Sequence, residues 1–208
     1  MFVKIRIPNG LLYILSALKI TSTAVVVGAI VLATGWTPLS SSRFEAYGLP
    51  KYRNVVTSVD LEEMVCAGQI SRPSDGGPVR SVALVLCDGA GDDQHLPYGG
   101  NVSSLVALKQ ALYIRDRCPD ATVYVLYGDM QTPGQYEYFY QRVQEDIGVL
   151  FTQGEIGGVT EETGGSIVLD VGNTLLGGSL RVRVDLLVVS AGMAPATLDQ
   201  ASGALNLN

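Results

Sequence analysis

Three short runs of aliphatic and β-branched residues set the strongest limit on what this chain can become: SVALVLC at 81–87, TVYVLY at 122–127 and DLLVVS at 185–190. Runs with little polar alternation suit strands buried on both faces, as in a parallel sheet covered by further layers. Between the first two, Val102, Leu105, Leu108 and Leu112 recur at helical spacing and Cys118-Pro119 breaks the pattern, which predicts a helix from about 102 to 117. In GQYEYFYQRVQEDIG, Tyr136, Phe139, Tyr140, Val143 and Ile147 form one helical stripe, read as core-facing rather than as a stacking platform. Strands alternating with helices define an α/β fold. From Val149 the runs VLFTQ, EIGGV, SIVLDV and LRVRVD are joined by turns at Gly164-Gly165 and Gly177-Gly178, which predicts a small β-meander closing on the 185–195 strand. Upstream, VVVGAIVLATG reads as a buried strand or tight hairpin ending in a turn at Gly35.

Composition narrows the partners. A chain of 208 residues with 47% apolar content has ample material for a core. Its net charge of −6, with only 14 Lys plus Arg and no basic cluster, argues against nucleic acid, whose phosphates need grouped cations. Cys66, Cys87 and Cys118 are odd in number and contain no C-x-x-C pair, so neither a disulfide framework nor a compact zinc site is written here. A reducing compartment follows. Lys4 and Arg6 before LLYILSAL resemble the opening of a signal peptide, but Lys19 and the threonines that follow dilute the apolar stretch, and a membrane span or cleaved segment is the lesser reading.

Residues able to do chemistry are few. No G-x-G-x-x-G joins a strand to a helix and no G-x-x-x-x-G-K-[ST] occurs; GAGDD at Gly89 carries two carboxylates that would repel a pyrophosphate. His95, the sole histidine, lies near Asp92 and Asp93, yet no nucleophile motif accompanies it and no further ligands stand at a telling spacing, so it reads as a surface residue. Cys118 follows a helix C-terminus, where the dipole raises a thiol pKa, and reads as structural. No catalytic side chain and no metal ligand is assigned.

Five stretches in order, VGAIVLATGW, YGLPKYRNVVTSVDLEEM, HLPYGGNVSSLVALKQALYIRDRCPDA, TPGQYEYFYQRVQED and VDLLVVSAGMAP, resemble the heterodisulfide reductase A family of flavoproteins, from about Val25 to Thr197. Within it the motifs look most like the A-type member of the quinone-interacting membrane-bound oxidoreductase. The resemblance implies a Rossmann-like domain of the FAD/NAD-linked reductase type and an FAD-dependent oxidoreductase component that transfers electrons in sulfur metabolism. It also implies redox-complex partners, either a flavoprotein chain or a second copy, and a cytoplasmic location, with the inner membrane face reached only through partners. Ala33, Thr34, Gly35, Ala191, Gly192 and Pro195 would form a backbone wall beside the FAD. Where the family carries cysteines after Tyr98, this chain has Gly99, Ser103 and Ser104, and only Cys87 keeps the family type, so no iron-sulfur cluster is expected. Helix 102–117 would survive with Asn101 or Ser103 as its cap. Gln131 and Gln153 stand where the family usually has basic residues.

The implied division is a divergent segment at 1–24, part of an FAD-type domain with a linker at 25–80, an inserted nucleotide-domain-like region at 81–184, and a return strand with tail at 185–208. The glycine fingerprint of the family's N-terminal FAD domain is absent, so the chain reads as the middle of the architecture, completed by another polypeptide or truncated. The alternative is a noncatalytic structural or interaction domain derived from that family. A separate pyridine-nucleotide-binding domain is disfavoured by the missing fingerprint.

Overall fold

The computed structural model describes residues 35–39, 41–86, 99–173, 177–190 and 192–195. The strand expected at 25–35 and the loop holding Cys87, Asp92, Asp93 and His95 lie outside them. Contacts divide the chain into a smaller unit, 1–37 with 194–208, and a larger unit, 38–193. Strands β1 (Trp36–Pro38) and β9 (Met193–Pro195) pair in a two-stranded ribbon.

The larger unit is the α/β fold expected, and it is Rossmann-like with a meander. Strands β2 (Val55–Thr57), β8 (Leu186–Ser190), β3 (Ser81–Leu86), β4 (Thr122–Tyr127) and β5 (Val149–Glu161) lie in that order and pair in parallel; β6 (Ile167–Asn173) and β7 (Gly178–Val184) continue from β5 antiparallel. The runs VLFTQ and EIGGV are therefore one strand, which changes partner at Gly154. Strand β8 sits between β2 and β3 rather than closing the meander, because its two-sided apolar run belongs in the covered sheet.

Alternation on the strands makes two cores. Val56, Val82, Leu84, Val123, Val125, Leu186 and Val188 face the helices; Val55, Ala83, Val85, Leu126, Leu187 and Val189 face Ile167, Leu169, Val171, Val182 and Val184 of the meander. The parallel sheet is thus covered on both faces, as its composition requires.

Helix α1 (Ser58–Cys66) starts at a capping box in which the Thr57 hydroxyl accepts from the Asp60 N–H and the Asp60 carboxylate accepts from the Thr57 N–H. Helix α2 spans Gly99–Arg117, three residues longer at its start than the periodicity predicts. Its buried face is also rotated: Ser103, Ser104, Ala107, Leu108, Gln110, Ala111 and Ile114 are buried, whereas Val102, Leu105 and Leu112 are only partly so. Small side chains let this helix lie close against the sheet, which sends the larger residues to its flanks. Helix α3 (Tyr136–Gln144) ends before Ile147, which is 95% exposed, and Tyr136 is 53% exposed. Only Phe139, Tyr140 and Val143 of the expected stripe face the core. Among the described residues no helix is long and apolar enough to cross a membrane.

Candidate functional site

Of the six wall positions, Ala33, Thr34 and Ala191 lie outside the described residues. Gly35 has φ +76° and is exposed, and a Cβ there would meet nothing within 4 Å. That is an open stretch of backbone in a conformation reserved largely for glycine. Gly192 is buried; its C=O accepts from the Leu39 N–H at 3.0 Å, and a Cβ would stand 3.4 Å from Leu39 Cδ1, so a methyl group fits. Pro195 ends β9.

A second group of polar residues gathers where α2 begins and where β4 and β5 leave the parallel ladder. The Ser103 hydroxyl donates to the Gly100 C=O at 3.1 Å, and the Ser104 hydroxyl accepts from the Gln131 N–H at 3.1 Å. The Gln131 amide in turn donates to Asp129 at 2.9 Å, the Gln153 amide to the Gly128 C=O at 3.0 Å, and the Thr132 hydroxyl to Glu137 at 2.8 Å. From β8, the Ser190 hydroxyl donates to the Ser103 C=O at 3.2 Å and ties the strand end to α2. Asn101 and Ser103 fall inside α2, as its third and fifth residues, so neither caps it. Among the described residues the ionisable members of this network, Asp129 and Glu137, are both acids.

The sequence singled out Ser103, Ser104, Gln131 and Gln153, and the structure gathers them at one end of the sheet. It missed Asp129 and Ser190, although an acid or hydroxyl directly after a buried strand is a usable signal for that end. Nearby, burial first and then the Tyr127 hydroxyl push the Tyr140 phenol up to about 12, so it stays neutral at physiological pH. Burial pushes the Cys118 thiol up, in the direction expected. Among the described residues no three His, Cys, Asp or Glu side chains gather as a metal site.

No protein-family profile matches the sequence. Curated proteins do: the second of two A-type iron-sulfur subunits of CoB–CoM heterodisulfide reductase in Methanopyrus kandleri is 34% identical over 177 residues, covering 81% of this chain and 27% of its own length. The corresponding A-type protein of Methanocaldococcus jannaschii is 34% identical over 179 residues, with the same coverage of both chains. The chain is a homologue of the heterodisulfide reductase A proteins. It spans about a quarter of the length of these relatives. Among solved structures, the reduced form of ornithine hydroxylase from Pseudomonas aeruginosa shares the fold, with a TM-score of 0.50 and 14% identity over 77% of this chain and 44% of that one.

Proposed function

We propose that the chain supplies the Rossmann-like part of an electron-transfer flavoprotein of the heterodisulfide reductase A type, working within a redox complex on the cytoplasmic side. The observation that carries this reading is the homology to the heterodisulfide reductase A proteins over four-fifths of the chain. FAD would lie against the backbone of Ala33, Thr34, Gly35, Ala191, Gly192 and Pro195. The fit rests on Gly35, whose open, positive-φ backbone allows close approach of a flat ligand. Bound there, the flavin would supply the electron chemistry, and the chain would shape and shield one side of it.

The relative from Methanopyrus kandleri is named an iron-sulfur protein. The start of α2 does not fit such a cluster: Ser103 and Ser104 are buried, their hydroxyls are hydrogen-bonded, and serine is a hard ligand for iron that prefers thiolate. This segment is read as flavin-only.

The test is expression alone and together with any flavoprotein-like polypeptide encoded next to it, followed by size-exclusion chromatography and a visible spectrum. A coloured heteromer that loses its flavin on Gly35→Trp or Gly192→Trp is expected. A colourless chain that ignores its neighbour would overturn the reading and leave the noncatalytic structural domain.

A further inference from the structure

At position 100 a Cβ would stand 2.7 Å from Gln131 Oε1, 2.8 Å from Cδ and 2.9 Å from Nε2, so the carboxamide of Gln131 fills the space beside the first turn of α2. The same residue presents its main-chain N–H to Ser104 and its amide to Asp129. Ser104 is fully buried and Ser103 nearly so, with the Ser103 hydroxyl turned back onto the Gly100 C=O. Resting on the homology to the heterodisulfide reductase A proteins, we propose that Gln131 is a plug. It locks the turn 99–104 onto the β4–α3 loop and closes it to a metal cluster, so that thiols alone at 99, 103 and 104 do not reopen it. Gly99, Ser103 and Ser104, where the resemblance implies cysteines, are then only half of the difference at this site. The other half is a side chain that occupies the space beside Gly100, on a residue whose main-chain N–H holds Ser104 while its amide is held by Asp129 of its own loop. As placed, the half-buried carboxamide and a cuboidal cluster would compete for the same space beside Gly100.

Two measurements on the whole chain test this. In the first, Gly100→Ala, Gln131→Ala and the double variant are compared by thermal unfolding. Gly100→Ala lowers the midpoint while Gln131 is present, and raises it or leaves it unchanged once Gln131 is alanine, because helix-interior alanine is then unopposed. Additive effects would overturn the plug. In the second, a chain carrying Gly99→Cys, Ser103→Cys and Ser104→Cys is reconstituted anaerobically with iron and sulfide, with and without Gln131→Gly. Severalfold more protein-bound iron and cluster absorption is expected in the chain without the plug. Equal iron in both, including none in either, counts against it. Flavin content of the co-expressed complex is read separately, so failure of the flavoprotein reading and failure of the plug give different results.

Discussion

Asn54 is fully buried, with its Nδ2 donating to the Gly165 C=O at 2.7 Å and its Oδ1 accepting from the Ser74 N–H at 2.9 Å. One side chain thereby satisfies two main-chain groups far apart in sequence, one in the β5–β6 turn and one in the loop after α1. Asn54→Ala strands both groups, and a loss of about 2–3 kcal/mol in urea unfolding is expected. A change within experimental error would mean that water replaces the amide at no cost. Asp146 makes a different kind of tie. Burial would raise its pKa, but the Gly148 N–H and the Arg115 guanidinium outweigh burial and hold the carboxyl below its ordinary value. Arg115 also reaches the Ala121 C=O at 2.7 Å, so the pair anchors the end of α2 to the turn before β5. A depressed carboxylate contributes stability at pH values above the unfolded pKa, about 3.9. That contribution is lost as pH falls through the lower folded value. Asp146→Asn should therefore be less stable than the parent at neutral pH, and the gap should close in acid. An unfolding midpoint difference that stays constant from neutral pH to below about pH 3 would refute the electrostatic account.

Strand β5 shows how one glycine allows two kinds of sheet to share an element. Residues up to Gln153 pair in parallel with β4, and from Gly154 the strand pairs antiparallel with β6. A Cβ at Gly154 would fall against the Gly172 carbonyl oxygen, a main-chain atom that cannot swing away. Gly158, four residues on, has nothing within 4 Å of its own Cβ position. Gly154→Ala should cost about 1–3 kcal/mol through overpacking, while Gly158→Ala should be nearly neutral. Equal costs in chemical denaturation would remove the claim that β5 turns on Gly154. Strands β3, β4 and β8 were legible from the sequence because a strand covered on both faces is apolar throughout. The buried face of α2 was not, because it is built from Ser103, Ser104, Ala107 and Ala111, and hydrophobic periodicity weighs large side chains. The short β2 and helix α1 lay within a stretch noticed only for its resemblance, since three strand residues leading into a capped helix make no period of their own. The polar group at the end of the sheet was half legible: Ser103, Ser104, Gln131 and Gln153 stood out, while the pairing of Ser104 with Gln131 and of Gln153 with Gly128 joins residues distant in sequence, and Asp129 went unnoticed.

Across the larger unit, the two cores lie on opposite faces of the same strands, and that sharing sets how the molecule unfolds. Leu84 faces the helices and Leu169 lies in the meander; their side chains belong to different clusters, and both clusters lean on β3, β4 and β8. If the meander left the sheet, Ala83, Val85, Leu126, Leu187 and Val189 would face water, at about 25 cal/mol for each Å² of apolar surface exposed. Neither layer can leave without exposing apolar residues of the shared strands, so residues 38–193 should melt in one step. Leu84→Ala and Leu169→Ala should each lower stability by about 2–5 kcal/mol, since each leaves a cavity beside a fully or nearly fully buried neighbour. Far-ultraviolet circular dichroism follows the helices and strands together, and near-ultraviolet tyrosine signals follow Tyr124 and Tyr52 on the meander side and Tyr127 and Tyr140 on the helix side. Coincident curves from the two probes, shifted together by either substitution, are the expected outcome. A Leu169→Ala chain that loses its near-ultraviolet signal in a separate, earlier transition while the helical signal persists would show that the meander is an independent layer, and that the shared strands do not couple the two faces.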